Sequence, residues 1–262
     1  MRHPKLTLGT VALSLCFAAQ TMAQSISTSP HNLNTIPNAA GTGNLSITGP
    51  RTTGEICRPC HTPHKAIYNS GSLLWNHDVN MSQSYTMYTS VHVTANSGPG
   101  GSSANPQLDS TSRLCLSCHD GLIAVDSYGG ATTGTVFMQN ISTKYGTGQD
   151  AIAGGTSATP VAGSDLSADH PVGVGYPGLT ATVSGGYVTS ESWSPVAGWN
   201  DPTQSTFTAG GVDGLPAVNL VPLPNGLVGV GCGTCHEPHD FTQLFVRMNN
   251  SSSALCLKCH NK

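Results

Sequence analysis

Four stretches of the chain read Cys-x-x-Cys-His: Cys57-Arg58-Pro59-Cys60-His61, Cys115-Leu116-Ser117-Cys118-His119, Cys232-Gly233-Thr234-Cys235-His236 and Cys256-Leu257-Lys258-Cys259-His260. Two thiols three positions apart can form thioether bonds to the vinyl groups of one porphyrin. A histidine directly after them can ligate the iron from one face, which is the attachment pattern of a c-type haem. Zinc knuckles and disulfides also use Cys-x-x-Cys pairs, but neither needs a histidine after the pair. With 11 histidines in 262 residues, four such histidines would arise by chance about three times in a million. The spacing therefore predicts four covalent haem c groups, one per motif.

An iron held by one imidazole needs a second axial ligand, and its identity decides between electron transfer and catalysis. Beyond the motifs and the leader discussed below, six histidines remain: His31, His64, His77, His92, His170 and His239. His64 and His239 each lie three residues after a motif histidine, on the same side of a helical turn. Neither can wrap round to the opposite face of that same porphyrin, so each must serve another iron. His31 and His170 each sit beside a proline. These four are the expected second ligands for the irons of His61, His119, His236 and His260, which would leave no coordination position open. His77 is the main competitor and could replace His31 or His170. His92 is expected to be no ligand, and Met81, Met87, Met138 and Met248 are read as packing residues. Closed irons pass electrons rather than bind substrate, so an enzyme is not expected. A multihaem reductase would need a five-coordinate iron.

The elements that hold these residues are expected to be few. Only 9% of residues are charged and 6% aromatic, while glycine numbers 31. Long apolar periodic stretches that could build an ordinary core are scarce, but four flat apolar porphyrins give scattered Leu, Val and Ile something to bury against. The expected architecture is mostly irregular, with short helices and a few short strands in a haem-cored multihaem cytochrome c fold. Short helices are expected around the motifs, with 73–77 and 241–247 as examples. Short strands are expected at 181–184 and 187–189.

Internal repetition organises the chain. Each half has a histidine beside proline (His31, His170), then Cys-x-x-Cys-His-x-Pro-His (ending at His64 and His239), then Leu-Cys-Leu-x-Cys-His (ending at His119 and His260). The pattern reads as two dihaem modules, 24–150 and 151–262, with a Gly/Thr/Ser-rich insertion at 128–230 and the junction within 128–165. Residues 1–23 carry Arg2 and Lys5, an apolar run from Leu6 to Ala19, and Thr21-Met22-Ala23, the order of a secretory signal peptide cleaved after Ala23. The apolar run is short for a membrane span, and no later segment is a transmembrane candidate. Leu15 stands where a lipidated Cys16 would want a small residue, which disfavours a lipoprotein anchor. Without the leader, all eight remaining cysteines belong to motifs and none is left for a disulfide. The whole chain carries a formal charge of −3, with nothing like a basic nucleic-acid patch.

Several segments together resemble a known family. Cys57 to His64, Leu73-Leu74-Trp75-Asn76-His77, Leu114 to Gly121, His170-Pro171-Val172-Gly173 and Cys232 to His239 are similar to the doubled Cys-x-x-Cys-His multihaem cytochromes of metal-reducing bacteria. Some of those proteins polymerise into extracellular filaments, or nanowires, in which a histidine three residues after a motif reaches a haem of the next subunit. The resemblance makes His64 the candidate donor across such a contact and raises the standing of His77 as a ligand. A donated ligand makes a heterologous, head-to-tail contact, which yields an open polymer when it does not close. The resemblance thus implies an extracellular or cell-surface conductive filament with redox partner cytochromes or extracellular acceptors. The alternative is a monomeric periplasmic shuttle.

Overall fold

The computed structural model describes residues 26–33, 55–67, 74–88, 108–130, 137, 142–143, 146–147, 165–167, 170–240 and 245–261. Regular structure is sparse among them, as the composition predicts. Residues 1–23, His92, Met138 and most of 128–165 lie outside the described residues, as do 73 and 241–244 from the two helices expected at 73–77 and 241–247.

The longest helix, α1 (Ser110–His119), ends on the second motif. Asp109 caps it, with Oδ1 accepting from the Ser112 backbone N–H at 3.0 Å, so one otherwise orphaned amide is satisfied. Its buried residues include Leu114 and Leu116. Leu116 joins Tyr85, Met87, Leu108 and Leu166 in one apolar cluster, with Val172 against it. The Tyr85 hydroxyl donates to Asp120 Oδ2 at 2.7 Å just beyond the helix.

A small pair, β1 (Ser142–Thr143) and β2 (Gly146–Thr147), precedes the second half. There, β3 (Val174–Gly175), β6 (Val221–Pro222) and β7 (Val228–Val230) make an antiparallel sheet with β7 in the middle. All three β7 residues are buried. Gly229 is required at its centre, because a Cβ there would strike the Val174 carbonyl oxygen. Strand β7 runs directly into the third motif, so this sheet fixes where Cys232 begins.

The two expected strands are present as a hairpin, β4 (Leu179–Ser184) and β5 (Tyr187–Trp193), paired from Leu179–Trp193 to Ser184–Tyr187. Gly185 and Gly186 close it with φ of 60° and 83°, the doubly positive geometry that suits the twist of a two-residue hairpin. Trp193 Nε1 donates to the Pro177 carbonyl at 2.8 Å and pins the hairpin base. A second apolar cluster lies beneath, built on Tyr176, Phe207 and Val218 and joined by Trp199, Leu255 and Cys259. Phe207 comes from a single turn, α2 (Ser205–Thr208), which lies against the fourth motif, with Lys258 Nζ donating to the Thr206 carbonyl at 2.8 Å. The last two motifs are single helical turns, α3 (Cys232–Cys235) and α4 (Cys256–Cys259). Met87 and Met248 are buried as packing residues, whereas Met81 is 37% exposed and packs into neither cluster. No described helix is long and apolar enough to cross a membrane.

Candidate haem-binding sites

Each motif folds as one turn of helix. The His61, His236 and His260 amides donate to the carbonyls of Cys57, Cys232 and Cys256 at 2.8, 3.1 and 2.9 Å, and the second motif forms its turn inside α1. At 3.6 residues per turn, the two cysteines and the histidine then crowd one side. All eight described cysteines are free. Burial pushes the thiols of Cys60, Cys118 and Cys259 up to about 12 and that of Cys235 to about 11. Among the described residues, no three of His, Cys, Asp and Glu converge as a bare metal site. Two thiols and an adjoining imidazole in each motif fit a covalently attached porphyrin.

Three of the motifs share a clip that the sequence did not disclose. The residue after the motif histidine donates its backbone N–H to a distant carbonyl: Thr62 to Leu74 at 3.0 Å, Glu237 to Phe245 at 2.8 Å and Asn261 to Gly198 at 2.9 Å. Two residues beyond each acceptor, a backbone N–H returns to the carbonyl of the second cysteine: Asn76 to Cys60, Arg247 to Cys235 and Asn200 to Cys259, at 2.9, 2.8 and 2.9 Å. The residue between them bridges the histidine, as Trp75 with His61, Val246 with His236 and Trp199 with His260. Finally the third side chain donates to the residue after the first cysteine: Asn76 Nδ2 to Arg58 O at 2.6 Å, Arg247 Nε to Gly233 O at 2.8 Å and Asn200 Nδ2 to Leu257 O at 2.9 Å.

This clip corrects the helices expected at 73–77 and 241–247. In the described parts neither is helical, because their amides are spent on the motif turn instead of on an i−4 carbonyl. Leu74, Phe245 and Gly198 all take positive φ, at 48°, 65° and 84°. For Leu and Phe that conformation costs about 1–3 kcal/mol, and such strain collects where the surrounding structure enforces it. The repeated Trp-Asn at 75–76 and 199–200 was the available sequence signal. The second motif has no such clip among the described residues. It is held through α1, where Ser112 Oγ accepts from the Cys232 backbone N–H at 2.8 Å and ties motif two to motif three.

The histidines outside the motifs divide clearly. His31 stands beside His119, with ring centres 6.2 Å apart, and His239 beside His61, with centres 6.1 Å apart and planes 21° apart. A first-row metal binds an imidazole nitrogen at about 2.0–2.1 Å, and the ring centre lies roughly 1.1 Å further on. Two imidazoles on opposite faces of one metal therefore have centres roughly 6 Å apart. Both pairs have that separation, which is wide enough to admit an iron between the rings.

Each of these two histidines also has an acceptor at Nδ1, leaving Nε2 for a metal. His31 Nδ1 donates to the Pro238 carbonyl at 3.1 Å and its ring stacks on Phe245 at 4.2 Å. Burial, and then the nearby His119, lower its pKa to about 4, so it is a neutral imidazole. His239 Nδ1 donates to Glu237 Oε1 at 2.9 Å. Glu237 is held below the usual carboxylate range first by that hydrogen bond and then by Arg247, whose guanidinium lies 3.2 Å from Oε2.

His64 and His170 are exposed, and no described ring pair includes either of them. His170 Nδ1 donates to the Pro171 carbonyl at 3.1 Å. His77 is only 1% exposed and has both nitrogens engaged, Nδ1 with Asp78 O at 2.7 Å and Nε2 with Ala124 O at 3.1 Å. It tethers the first motif's clip to the segment after α1, and neither nitrogen is left open. One polar atom near the first motif is buried without a partner, Trp75 Nε1, on a ring edge-on to His61 at 6.0 Å. Such an orphaned donor suits a carboxylate-bearing group like haem.

Residues 225–262 match the doubled CXXCH motif family. That stretch holds the third and fourth motifs, with the third motif's clip residues Val246 and Arg247, and supports both motifs as covalent haem c sites. No curated protein matches the chain. The first and second motifs lie outside the matched stretch, but the first shares the clip of the third and fourth bond for bond.

Proposed function

We propose that the chain is an exported tetrahaem c-type cytochrome that carries electrons between closely spaced haems, and that it does no catalysis. Cys57, Cys60, Cys115, Cys118, Cys232, Cys235, Cys256 and Cys259 hold the four porphyrins. His61, His119, His236 and His260 ligate the irons from one side. The observation that carries the reading is the pair of opposed histidine couples, His61 with His239 and His119 with His31. Two irons gripped on both faces have no position for a substrate, and bound haem supplies one-electron chemistry while the protein sets spacing and ligation.

His236 and His260 then call for two further ligands, and the exposed His64 and His170 are the donors at hand. His64 follows His61, whose iron His239 already closes. Its exposure supports donation to an iron of a neighbouring copy, in a head-to-tail extracellular filament. The test begins with mass. Four haems add about 2.5 kDa, at roughly 0.6 kDa each, and a gain of only half that value would refute the tetrahaem reading. Electron microscopy of the purified holoprotein is expected to reveal filaments that disappear in His64→Ala. Discrete monomers alone at high concentration would overturn the filament.

A further inference from the structure

We infer that Glu237 is a positioning residue that tunes one haem: its carboxylate, bonded to the outer nitrogen of His239, makes the centre shared by His61 and His239 the harder of the two opposed couples to reduce. The inference rests on the bis-histidine reading above and goes beyond it.

The geometry singles out this carboxylate. Oε1 receives His239 Nδ1 at 2.9 Å and the His239 backbone N–H at 3.3 Å. Oε2 meets Arg247 at 3.2 Å, with both side chains nearly buried, 12% and 10% exposed. Arg247 is itself anchored through Nε to the Gly233 carbonyl in the third motif's turn. The acceptor is thus fixed on both oxygens and cannot swing away from the imidazole. The sister couple is built differently, since His31 Nδ1 gives its proton to Pro238 O, a neutral carbonyl. The equivalent position after the first motif is Thr62, whose hydroxyl donates to the backbone carbonyl of His64. A carboxylate is therefore not a general requirement of the motif; it occurs where His239 reaches the His61 centre.

The chemistry follows from the hydrogen bond. An anionic acceptor on Nδ1 draws that proton outward and leaves more electron density on Nε2, which makes the imidazole a stronger donor. A stronger donor favours the oxidised iron and lowers the reduction potential. Arg247 offsets part of the negative charge, but it sits on the far oxygen and acts mainly to hold the carboxylate in place.

The test is a spectropotentiometric titration of the holoprotein, wild type against Glu237→Gln, with spin state followed by electron paramagnetic resonance. Glutamine keeps the size and one acceptor oxygen but removes the charge. One centre is expected to move to higher potential while the others stay put and all remain low-spin. That centre should be the same one that becomes high-spin in His239→Ala, and Glu237→Asp should return it toward the wild-type value. An unmoved set of potentials would overturn the inference, as would a high-spin centre in Glu237→Gln, which would reduce the residue to a structural support. A wild-type protein with no low-spin bis-histidine centre would overturn the bis-histidine reading and this inference with it.

Discussion

His61 and His239 come from opposite halves of the chain, yet their rings stand 6.1 Å apart with planes only 21° from parallel. His239 itself lies three residues after another motif histidine, His236. On the proposed pairing, one short stretch of backbone presents imidazoles to two different porphyrins. The His239→Ala holoprotein is expected to gain one high-spin iron able to bind carbon monoxide, with the remaining irons unchanged. A carbon monoxide titration followed by magnetic circular dichroism counts such irons, and an unchanged low-spin count would refute the pairing.

His77 gives the opposite expectation. Its nitrogens face Asp78 O and Ala124 O in a buried setting, so it supports the first motif's surroundings. In His77→Ala every iron should remain low-spin, while the buried carbonyl that accepts the single imidazole N–H loses its donor. That loss should cost about 1–3 kcal/mol, read from the denaturant midpoint. A new high-spin iron in this variant would make His77 a ligand after all.

The clip predicts a local effect on haem attachment. Asn200 Nδ2 donates to Leu257 O and holds the Cys256–Cys259 turn. Asn200→Ala should destabilise the protein by about 1 kcal/mol and lower haem occupancy on the peptide carrying the fourth motif, measured by mass spectrometry after digestion. Asn76→Ala should do the same at the first motif, through Arg58 O. Undiminished occupancy at both would show the clip to be dispensable.

Asp109 links the second and third motifs. It caps α1 and accepts from the Ser112 hydroxyl, which in turn accepts from the Cys232 N–H. Asp109→Ala should cost about 0.5–2 kcal/mol through the lost cap alone. Thermal unfolding followed by far-ultraviolet circular dichroism should show a lower midpoint. An unaltered midpoint would mean that the haems, not the cap, hold α1 in place.

What was legible in the sequence follows from what covalent attachment demands. Cysteines three apart and a histidine next to them form a rigid local rule, so all four motifs could be read directly. The β4–β5 hairpin was equally local, with alternating Val and Thr on either side of Gly185-Gly186. The clip was not legible, because its bonds run between segments far apart in sequence and use backbone groups that any residue has. Trp75-Asn76 and Trp199-Asn200 hinted at it; Val246-Arg247 performs the same task with no shared side chain. The helices expected at 73–77 and 241–247 failed for this reason. Local composition permitted a helix, but long-range demand for the amides of Asn76 and Arg247 was stronger. The acceptors behind His31 and His239 were hidden likewise, since Pro238 contributes only its carbonyl.

The crossing of ligands between halves bears on how such a protein is made. Ribosomal synthesis delivers His31, His61 and His119 well before Pro238 and His239 exist. On the proposed pairing, a chain that accepted its first porphyrin before its C-terminal part had emerged from export would carry that centre half-closed until His239 arrived. On the same pairing, termination anywhere before His239 would leave that centre exposed to adventitious small molecules, and completeness of the polypeptide would be the safeguard against stray reactivity.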